Sequence, residues 1–225
     1  MLKLSVIVPV YNEENTVGEI LDRLGAEKIV NEVVVVDDGS TDGTVAVLKR
    51  NRSNKFKIFQ QRHQGKGGAV RLGLSKIKGN YVIIQDADLE YDPSEIKKLV
   101  AHLSRPGVNV VYGTRFLGAH TNLLFWHRVG NFILNTMVNL LYDSTLSDME
   151  TCYKLIPTKL AKELDLQSNG FELEPEITCK LLKNKIRIFE TPITYVGRGF
   201  EEGKKITWRD GIKAFWIIIK LRFSV

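Results

Sequence analysis

The sequence contains little cysteine, with only Cys152 and Cys179 in 225 residues. The two residues lie far apart and do not form the closely spaced pairs of a metal-binding motif. A disulfide framework and a thiolate metal site are therefore excluded as the basis of the fold. We expect two reduced thiols packed in the protein interior.

A long hydrophobic run is also missing. No stretch of about 18 uninterrupted apolar residues occurs, so the sequence predicts no transmembrane helix. The N-terminus leads directly into a predicted strand, without the basic and apolar regions of a signal peptide. Internal repeats, low-complexity tracts and a convincing domain linker are absent too. We expect a single domain whose contact with a membrane, if it has one, is peripheral.

The charge is only weakly biased toward one sign. Lys and Arg number 32 and Asp and Glu 26, which gives a net charge of +6. This balance suits anionic ligands or an anionic membrane surface. The basic residues do not form a groove-sized patch with interleaved aromatic residues, so nucleic acid is not an expected partner.

Short apolar strands alternate with amphipathic helices through the first half of the chain. Strands are predicted at 4–10, 32–36, 56–59, 108–112 and from 81 into the acidic residues at 86 and 88, and helices at 15–24, 42–48, 66–75 and 93–100. The near-continuous valine runs are typical of strands buried on both faces. This pattern predicts an α/β fold with a doubly wound, mostly parallel sheet and helices on both faces.

The second half of the chain has fewer strand signals. A long apolar helix is predicted at 121–142, and strands at 187–190 and 195–196. The segment from 207 onward is predicted to be an amphipathic helix. Its tryptophans and basic residues suit a helix that lies on an anionic bilayer. Packing of the same helix on the sheet is an equally good interpretation, and the two can hold together with one face each.

Two carboxylates, Asp86 and Asp88, follow the apolar run that begins at Tyr81. Ligands of open α/β sheets bind outside the carboxyl ends of the strands. If the strand geometry continues to its end, residues i and i+2 point the same way and both carboxylates face one point. A hard divalent cation, Mg²⁺ or Mn²⁺, would relieve their repulsion. An acidic loop that caps the next helix is the alternative.

Polar residues also follow the first two predicted strands, in Pro9-Val10-Tyr11-Asn12-Glu13 and in Asp37-Asp38-Gly39-Ser40-Thr41-Asp42-Gly43. If these strands are neighbours, their ends form one crevice. Carboxylates there can accept hydrogen bonds from a base or from ribose hydroxyls. N-capping of the next helix by Ser40 or Thr41 is the alternative, but it does not explain two adjacent aspartates.

These segments, with Gly65-Lys66-Gly67 and Asp86-Ala87-Asp88 and in this order, resemble family-2 glycosyltransferases with a GT-A fold. The likeness covers nearly the whole chain. It implies that Asp86 and Asp88 bind a divalent metal that holds a sugar-nucleotide diphosphate, with Glu90 as a further ligand. The positions that match donor-binding residues of the family are Pro9, Tyr11, Glu13, Asp37, Asp38 and Lys66.

Arginines in the second half narrow the resemblance. Arg115 follows a strand, and Arg128, Asn131 and Asn135 are spaced to form one polar stripe on an apolar helix. Guanidinium groups match phosphate oxygens in geometry and charge. The arrangement resembles dolichyl-phosphate mannose synthases and their bacterial polyprenyl-phosphate relatives, in which two such arginines hold the phosphate of the acceptor lipid. A buried polar network between helices is the alternative.

An acidic segment, Asp148-Met149-Glu150, resembles the family's acidic element near the acceptor. A hydroxyl acceptor needs a carboxylate to take its proton, whereas a phosphate acceptor is already ionised. Asp148 is therefore expected either to act as a base or to orient Arg128 or the acceptor. A loop that caps the following segment is the alternative. Farther on, Arg198 and Lys204 resemble the family's basic loop, which closes over the diphosphate; a solvated basic loop is the alternative there.

The sequence thus predicts a metal-dependent, inverting hexosyltransferase. We expect residues 1–115 to bind the nucleotide sugar, 116–206 to bind the acceptor and 207–225 to contact the cytoplasmic face of a membrane. A separate membrane-spanning protein is a candidate partner. GDP-mannose and dolichyl phosphate are the first expected pair, and UDP-glucose and undecaprenyl phosphate the second. Transfer to a saccharide or another hydroxyl acceptor, and non-catalytic binding of a nucleotide sugar, are the rival hypotheses.

Overall fold

A seven-stranded sheet with the order β3-β2-β1-β4-β7-β5-β8 forms the centre of the fold, and β6 and β9 pair separately. The structure is a computed structural model that describes residues 2–51, 53–121, 125–197 and 208–224. Its strands are β1 Leu4–Val10, β2 Val30–Asp37, β3 Phe56–Gln60, β4 Tyr81–Ile84, β5 Val110–Thr114, β6 His120–Thr121, β7 Lys154–Pro157, β8 Ile188–Pro192 and β9 Tyr195–Val196.

Eight α-helices are present in the described residues, most of them in the connections between the strands. Their bounds are α1 Val17–Ala26, α2 Thr44–Arg50, α3 Lys66–Lys76, α4 Ile96–Ala101, α5 Phe125–Tyr142, α6 Thr158–Glu163, α7 Leu173–Lys183 and α8 Trp208–Phe223. The first turn of the predicted helix at 93–100 is a 3₁₀ segment, which Asp92 caps and Pro93 begins.

The sheet is mostly parallel, as the strand–helix alternation predicts. Strands β3, β2, β1 and β4 run parallel, and so do β5 and β8. Only β7 is antiparallel, between β4 and β5. The sequence analysis did not predict β7, which has four residues. Its insertion joins the parallel part formed by the first half of the chain to the strands β5 and β8.

The valine run of β2 places apolar side chains on both faces of the sheet, and both faces are buried there. Val33, Val34, Val35 and Val36 are all inaccessible to solvent, and successive side chains of a strand point to opposite faces. Helix α1 covers the sheet with Val17, Ile20, Leu21 and Leu24, which share one helical face. Each such buried side chain contributes about 1.5–3 kcal/mol relative to an exposed one.

One prediction about the second half needs correction, and two helices there, α6 and α7, were not predicted. The helix expected from Thr121 begins, in the described residues, at Phe125, and Thr121 lies in β6 because it pairs with Val196 of β9. The first turn of α7 contains Glu174 and Glu176, which are buried, so the usual contrast between an apolar and a polar face is lost.

Helix α8 packs on α5 and α7 through one of its faces. Ile218 is fully buried in a small cluster with Val138, Met149 and Cys179. The hydroxyl of Tyr142 donates a hydrogen bond of 3.0 Å to the carbonyl oxygen of Ile218. The second cysteine, Cys152, is also buried and free, which confirms the expectation of two reduced thiols.

Candidate active site

The candidate site lies where β1, β2 and β4 end, because these three strands are neighbours and run parallel. The loops after β1 and β2 hold each other. The side chain of Asn12 accepts a hydrogen bond of 2.8 Å from the Thr41 amide, and Ser40 Oγ accepts one of 3.0 Å from the Asn12 amide. Ser40 therefore joins two loops and does not cap α2. The ends of β1 and β2 are therefore adjacent, as predicted, and the edge that they form with the end of β4 is called the crevice.

Asp37 and Asp38 are both only 2% exposed at the end of β2. Asp38 accepts hydrogen bonds from the backbone amides of Gln64 at 2.9 Å and Gly65 at 2.7 Å. Asp37 accepts one from the Ser40 amide at 3.2 Å. Asp38 thereby fixes the loop that leads into α3, and Asp37 fixes the turn after β2. Their predicted contacts with a base or ribose stay a prediction.

The other residues predicted to hold the base surround this loop. The ring of Tyr11 lies against the ring of His63, with 4.2 Å between the centroids. The Glu13 carboxylate accepts a hydrogen bond of 2.8 Å from Thr16 Oγ1. Pro9 is half-buried in β1 and is paired in register with Val36 of β2. An aromatic platform and several carbonyl and carboxylate oxygens therefore border the crevice.

Lys66, the first residue of α3, lies beside Asp86. The distance from Lys66 Nζ to Asp86 Oδ1 is 2.8 Å, and that to Glu174 Oε1 is 3.1 Å. Burial alone would lower the pKa of Lys66, but the charges of Asp86 and Glu174 raise it well above its ordinary value. Lys66 is therefore a permanent cation in the crevice.

Glu174 connects this pair to a second buried lysine. Glu174 Oε2 lies 2.5 Å from Lys154 Nζ, and the Lys154 side chain is completely inaccessible to solvent. Burial alone would raise the pKa of Glu174, but Lys154 and Lys66 lower it below its ordinary value. Sequence reasoning missed both residues. The only available signal was a lysine inside an apolar segment at 154–157, which requires a buried counter-ion.

Asp88 and Glu90 continue the acidic segment beyond β4. The strand ends at Ile84, so the alternation expected to align Asp86 with Asp88 does not reach them. Asp88 Oδ1 accepts a hydrogen bond of 3.1 Å from the Glu90 amide. Glu90 Oε2 accepts one of 2.7 Å from the hydroxyl of Tyr195. The loop is thereby attached to β9.

A divalent cation fits this acidic segment if the protein supplies only one or two of its ligands and other groups complete its coordination shell. Among the described residues, no three carboxylate, imidazole or thiol groups are placed to hold a metal by themselves. Mg²⁺ usually binds through one or two carboxylates together with substrate phosphates. Asp86 already holds a cation, the ammonium of Lys66. Asp86 and Asp88 would be the protein ligands, and the metal would supply positive charge at the diphosphate.

Arg115 and Asp148 form a buried, bidentate ion pair next to this segment. The two distances are 2.8 Å from Nε to Oδ2 and 2.7 Å from Nη2 to Oδ1. The Arg115 amide also donates to Oδ2, at 2.9 Å. Burial alone would lower the pKa of Arg115, but Asp148 raises it well above its ordinary value. Asp148 therefore orients Arg115, a partner that was not among the expected ones; the expected roles were those of a base or of a group that orients Arg128 or the acceptor.

Helix α5 holds the loop that carries Asp148. Asn135 Oδ1 accepts a hydrogen bond of 3.1 Å from the Met149 amide, and Asn139 Oδ1 accepts one of 2.9 Å from the Leu146 amide. The alternative interpretation of the polar stripe, a structural network, thus applies to Asn135. Arg128, near the start of α5, is exposed, and no contact with Asp148 occurs in the described residues. Arg198 and Lys204 lie outside the described residues.

Tyr195 links the two groups of charged residues. The Arg115 guanidinium lies 5.4 Å from the centroid of its ring, and its hydroxyl binds Glu90. The arginine predicted to hold an acceptor phosphate is therefore separated from the acidic segment by a single aromatic side chain. Sequence reasoning did not assign Tyr195 a role, because nothing in a two-residue strand indicates which side chains it will contact.

Glu150 is a carboxyl group that the sequence analysis did not choose. Its Oε1 atom is buried and has no hydrogen-bond partner in the structure. Burial, opposed by the positive charge of Lys154, raises the pKa of Glu150 to about 7. A buried carboxyl with a raised pKa is a candidate proton acceptor near neutral pH.

The outer faces of α5 and α8 are apolar and exposed. Of the twelve large apolar side chains that are exposed in the described residues, nine lie on these two helices. They are Phe125, Trp126, Phe132, Ile133, Leu140, Ile212, Phe215, Trp216 and Phe223. None of the described helices has the length and hydropathy that crossing a membrane requires. A surface of this kind indicates an interaction partner.

Comparison with known proteins identifies a family. The family model described as "Glycosyl transferase family 2" matches residues 5–165. Glycosyltransferase AglJ of Haloferax volcanii is 30% identical over 198 residues, which cover 86% of this chain and 63% of the relative. Dodecaprenyl-phosphate galacturonate synthase of Rhizobium johnstonii is 26% identical over 205 residues, which cover 88% of this chain and 60% of the relative. The chain thus spans about six tenths of the length of both relatives.

A solved structure confirms the fold class. Glucosyl-3-phosphoglycerate synthase of Mycobacterium tuberculosis, crystallised with Mn²⁺, UDP and glucosyl-3-phosphoglycerate, superposes with a TM-score of 0.77. The alignment covers 98% of this chain and 80% of that one, at 17% sequence identity. At this identity the likeness establishes the α/β fold and leaves the substrates open.

Proposed function

Because the chain belongs to glycosyltransferase family 2, we propose that it transfers a hexose from a nucleotide sugar to a polyprenyl phosphate, with inversion at the anomeric carbon. The observation that carries this proposal is the fixed Arg115. Asp148 takes two of the five N–H donors that a guanidinium carries and orients the rest. Tyr195 places this guanidinium next to the acidic segment. A phosphate acceptor finds there a cation already in place.

The donor occupies the crevice at the ends of β1, β2 and β4. Tyr11 and the loop fixed by Asp38 border the nucleoside. Lys66 offers its ammonium to the diphosphate beside Asp86. Both GDP- and UDP-hexoses suit this crevice, with GDP-mannose first and UDP-glucose second. The solved neighbour that contains Mn²⁺ and UDP supports a metal-dependent donor site of this general kind.

The reaction is a single displacement. Arg115 holds the acceptor phosphate so that one of its oxygens attacks the anomeric carbon. The bond from that carbon to the diphosphate breaks, and the nucleoside diphosphate leaves with the bonding electrons. Lys66 stabilises the charge that develops on the leaving group. Arg128, Arg198 and Lys204 are further candidates for contacts with the two phosphate groups.

The acceptor's lipid tail requires access to a bilayer, and the outer faces of α5 and α8 provide it. Trp126 and Trp216 are 77% and 64% exposed, and Lys213 and Lys220 are exposed on α8. Exposed tryptophans flanked by lysines suit the interface of an anionic membrane. We place this surface on the cytoplasmic side, where nucleotide sugars are made. The Rhizobium relative, whose name contains a polyprenyl phosphate, supports the same acceptor class.

Transfer to a hydroxyl is the second candidate, and Glu150 favours it. A hydroxyl acceptor must lose its proton, and an unpaired carboxyl with a pKa of about 7 is suited to take it. Asp148 is less suited to be the base, because both of its oxygens bind Arg115. The solved neighbour named for a phosphoglycerate product shows that other acceptors occur on this fold.

The experiment that tests the proposal uses radiolabelled GDP- and UDP-hexoses with short polyprenyl phosphates, in Mg²⁺, in Mn²⁺ and in chelator. We expect label in the lipid fraction that depends on the metal. Donor binding or hydrolysis without labelled lipid would instead favour a hydroxyl acceptor. Binding without any turnover on a panel of acceptors would indicate a nucleotide-sugar-binding protein. If no donor binds, the proposed function is wrong.

A further inference from the structure

A buried chain of four alternating charges leads from the crevice into the protein core. Its members are Asp86, Lys66, Glu174 and Lys154, which follow or lie in β4, α3, α7 and β7 respectively. The side chains of Lys66 and Asp86 retain some exposure to the crevice, at 11% and 21%. Those of Glu174 and Lys154 have almost none, at 4% and 0%. The exposed end of the chain is therefore at the donor site.

The two positive and two negative groups of this chain of charges balance. Lys66 lies between two of the anions and forms an ion pair with each. Asp86 attracts its ammonium toward the crevice, and Glu174 attracts it toward the core. Lys154 in turn neutralises part of the charge of Glu174. Lys154 is also fixed by the carbonyl oxygen of Thr151, to which it donates a hydrogen bond. The buried charges of Glu174 and Lys154 consequently influence how strongly Lys66 is attracted to Asp86.

The backbone around Lys66 packs closely against the loop before α7. Gly65 has a φ of +93°, and a Cβ at this position would collide with the carbonyl oxygen of Asn169. The Gly67 amide donates a hydrogen bond of 2.7 Å to the same oxygen. These contacts join the start of α3, and with it Lys66, to the segment that leads into the helix of Glu174.

We propose that Glu174 is a positioning residue for the donor: it gives the Lys66 ammonium a second anionic partner, so that a divalent cation can take the Asp86 carboxylate and the ammonium passes from Asp86 to the diphosphate. This inference rests on the proposed function, because it concerns the same donor. Metal and Lys66 compete for Asp86, and Glu174 weakens the hold of Asp86 on Lys66. The metal-dependent step is thus tuned by a residue that touches neither metal nor donor.

The test measures binding of GDP and UDP by calorimetry across a series of Mn²⁺ concentrations. In Glu174→Gln, Lys66 keeps only Asp86 as an anionic partner, and we expect the Mn²⁺ concentration for half-maximal binding to rise about tenfold. In Lys154→Met, Glu174 attracts Lys66 more strongly, and we expect that concentration to fall. Opposite shifts distinguish tuning from a general loosening of the site, which would move both variants in one direction.

Glu176→Gln is the matched control. Glu176 is as deeply buried on the same helix, and it accepts hydrogen bonds from the Gln167 and Ser168 amides of the loop that packs on α3. It does not contact Lys66. We expect its Mn²⁺ midpoint to stay within about twofold of the wild-type value, because the variant loses the ion pair with Lys180 and loosens the loop but leaves the anionic partners of Lys66 unchanged.

Three results overturn the inference. They are an unshifted midpoint in a folded Glu174→Gln, a rise in both Glu174→Gln and Lys154→Met, and an equal shift in Glu176→Gln. If thermal unfolding shows that Glu174→Gln is not folded, Lys154→Met decides alone, and a midpoint that does not fall rejects the idea. Failure of the wild-type protein to bind either nucleotide at any Mn²⁺ concentration would reject the proposed function and this inference with it.

Discussion

The crevice at the strand ends and the outer faces of α5 and α8 are built in opposite ways. In the crevice, charged groups such as Asp38, Asp86 and Asp148 are buried or half-buried and hold specific partners. On the two helices, large apolar side chains such as Trp126 and Leu140 are exposed. The valines of β2 are buried and stabilise the fold, whereas the exposed apolar side chains of α5 and α8 contribute little to its stability. Both departures from the usual distribution therefore indicate binding, of polar ligands in the crevice and of an apolar partner on the helices.

The strongest way to break the crevice is to neutralise Asp88. We expect Asp88→Asn to reduce sugar transfer by about a hundred- to a thousandfold, because a carboxylate that would share the divalent cation is lost. Initial rates at saturating metal measure the effect. Asp92→Asn is the control, since Asp92 lies in the same segment but caps the 3₁₀ turn through Ser94, and asparagine is also a good cap. Retention of a tenth of the activity in Asp88→Asn would contradict the assignment.

Asp148 lies between the two regions, because it binds Arg115 and its loop is held by α5. Asp148→Asn should raise the KM for the acceptor about tenfold or more, because the charged hydrogen bonds that orient Arg115 are weakened. Steady-state kinetics with varied acceptor separate this from a role as base, which would lower kcat and leave KM unchanged. Asp143→Asn, at an exposed position beyond α5 with a φ of +53°, should behave like the wild type.

The helix surface can be broken without unfolding the protein. Trp126→Ser with Trp216→Ser should weaken binding to anionic lipid vesicles about tenfold, while the free energy of unfolding changes by only about 0.5 kcal/mol per site. Vesicle flotation and chemical denaturation measure the two quantities. Ile218→Ala, on the buried face of α8, should do the reverse and cost about 2–5 kcal/mol of stability. Equal vesicle binding by the tryptophan variant and the wild type would remove the bilayer from the proposal.

The smallest expected effect concerns Glu150, a carboxyl group whose Oε1 atom is buried without a hydrogen-bond partner. Burial raises its pKa in the folded protein from 4.5 to about 7, so the folded state binds the proton more tightly than the unfolded state. The contribution of Glu150 to stability is therefore fully present below about pH 4.5 and is lost as the pH rises toward about 7. Glu150→Gln should remove this part of the pH dependence. Parallel stability profiles of variant and wild type from pH 4 to 8 would show that Glu150 is not the cause.

Much of the fold could be predicted because the spacing of apolar residues along the chain indicates which side chains become buried. The valine runs of β1 and β2 and the apolar spacing of α1 placed these elements to within about two residues of where they lie. Strand β7 and helix α7 could not be predicted in this way. Lys154 lies in β7 and Glu174 in α7, and the charge of Lys154 is acceptable in the interior because Glu174, brought there by packing, neutralises it.

The candidate site shows the same division. Asp86, Asp88, Arg115 and Asp148 were recognisable as candidates from their places after strands and in an acidic segment. That Asp148 binds Arg115 and not Arg128 could not be read from the sequence, since both arginines are plausible partners by type. The choice depends on β5 and the loop before β7 lying side by side.

By itself, the sequence determined which segments become buried strands, which residues follow them, and that the second half carries a long apolar helix and an amphipathic C-terminal helix. Only the tertiary structure decided which charges meet: Lys66 with both Asp86 and Glu174, and Arg115 with Asp148. It also decided that Trp126 of α5 and Trp216 of α8 face outward. The physical reason is range. Periodicity and burial act between neighbours in the chain, whereas an ion pair depends on distant elements that packing brings to within 3 Å or so of each other.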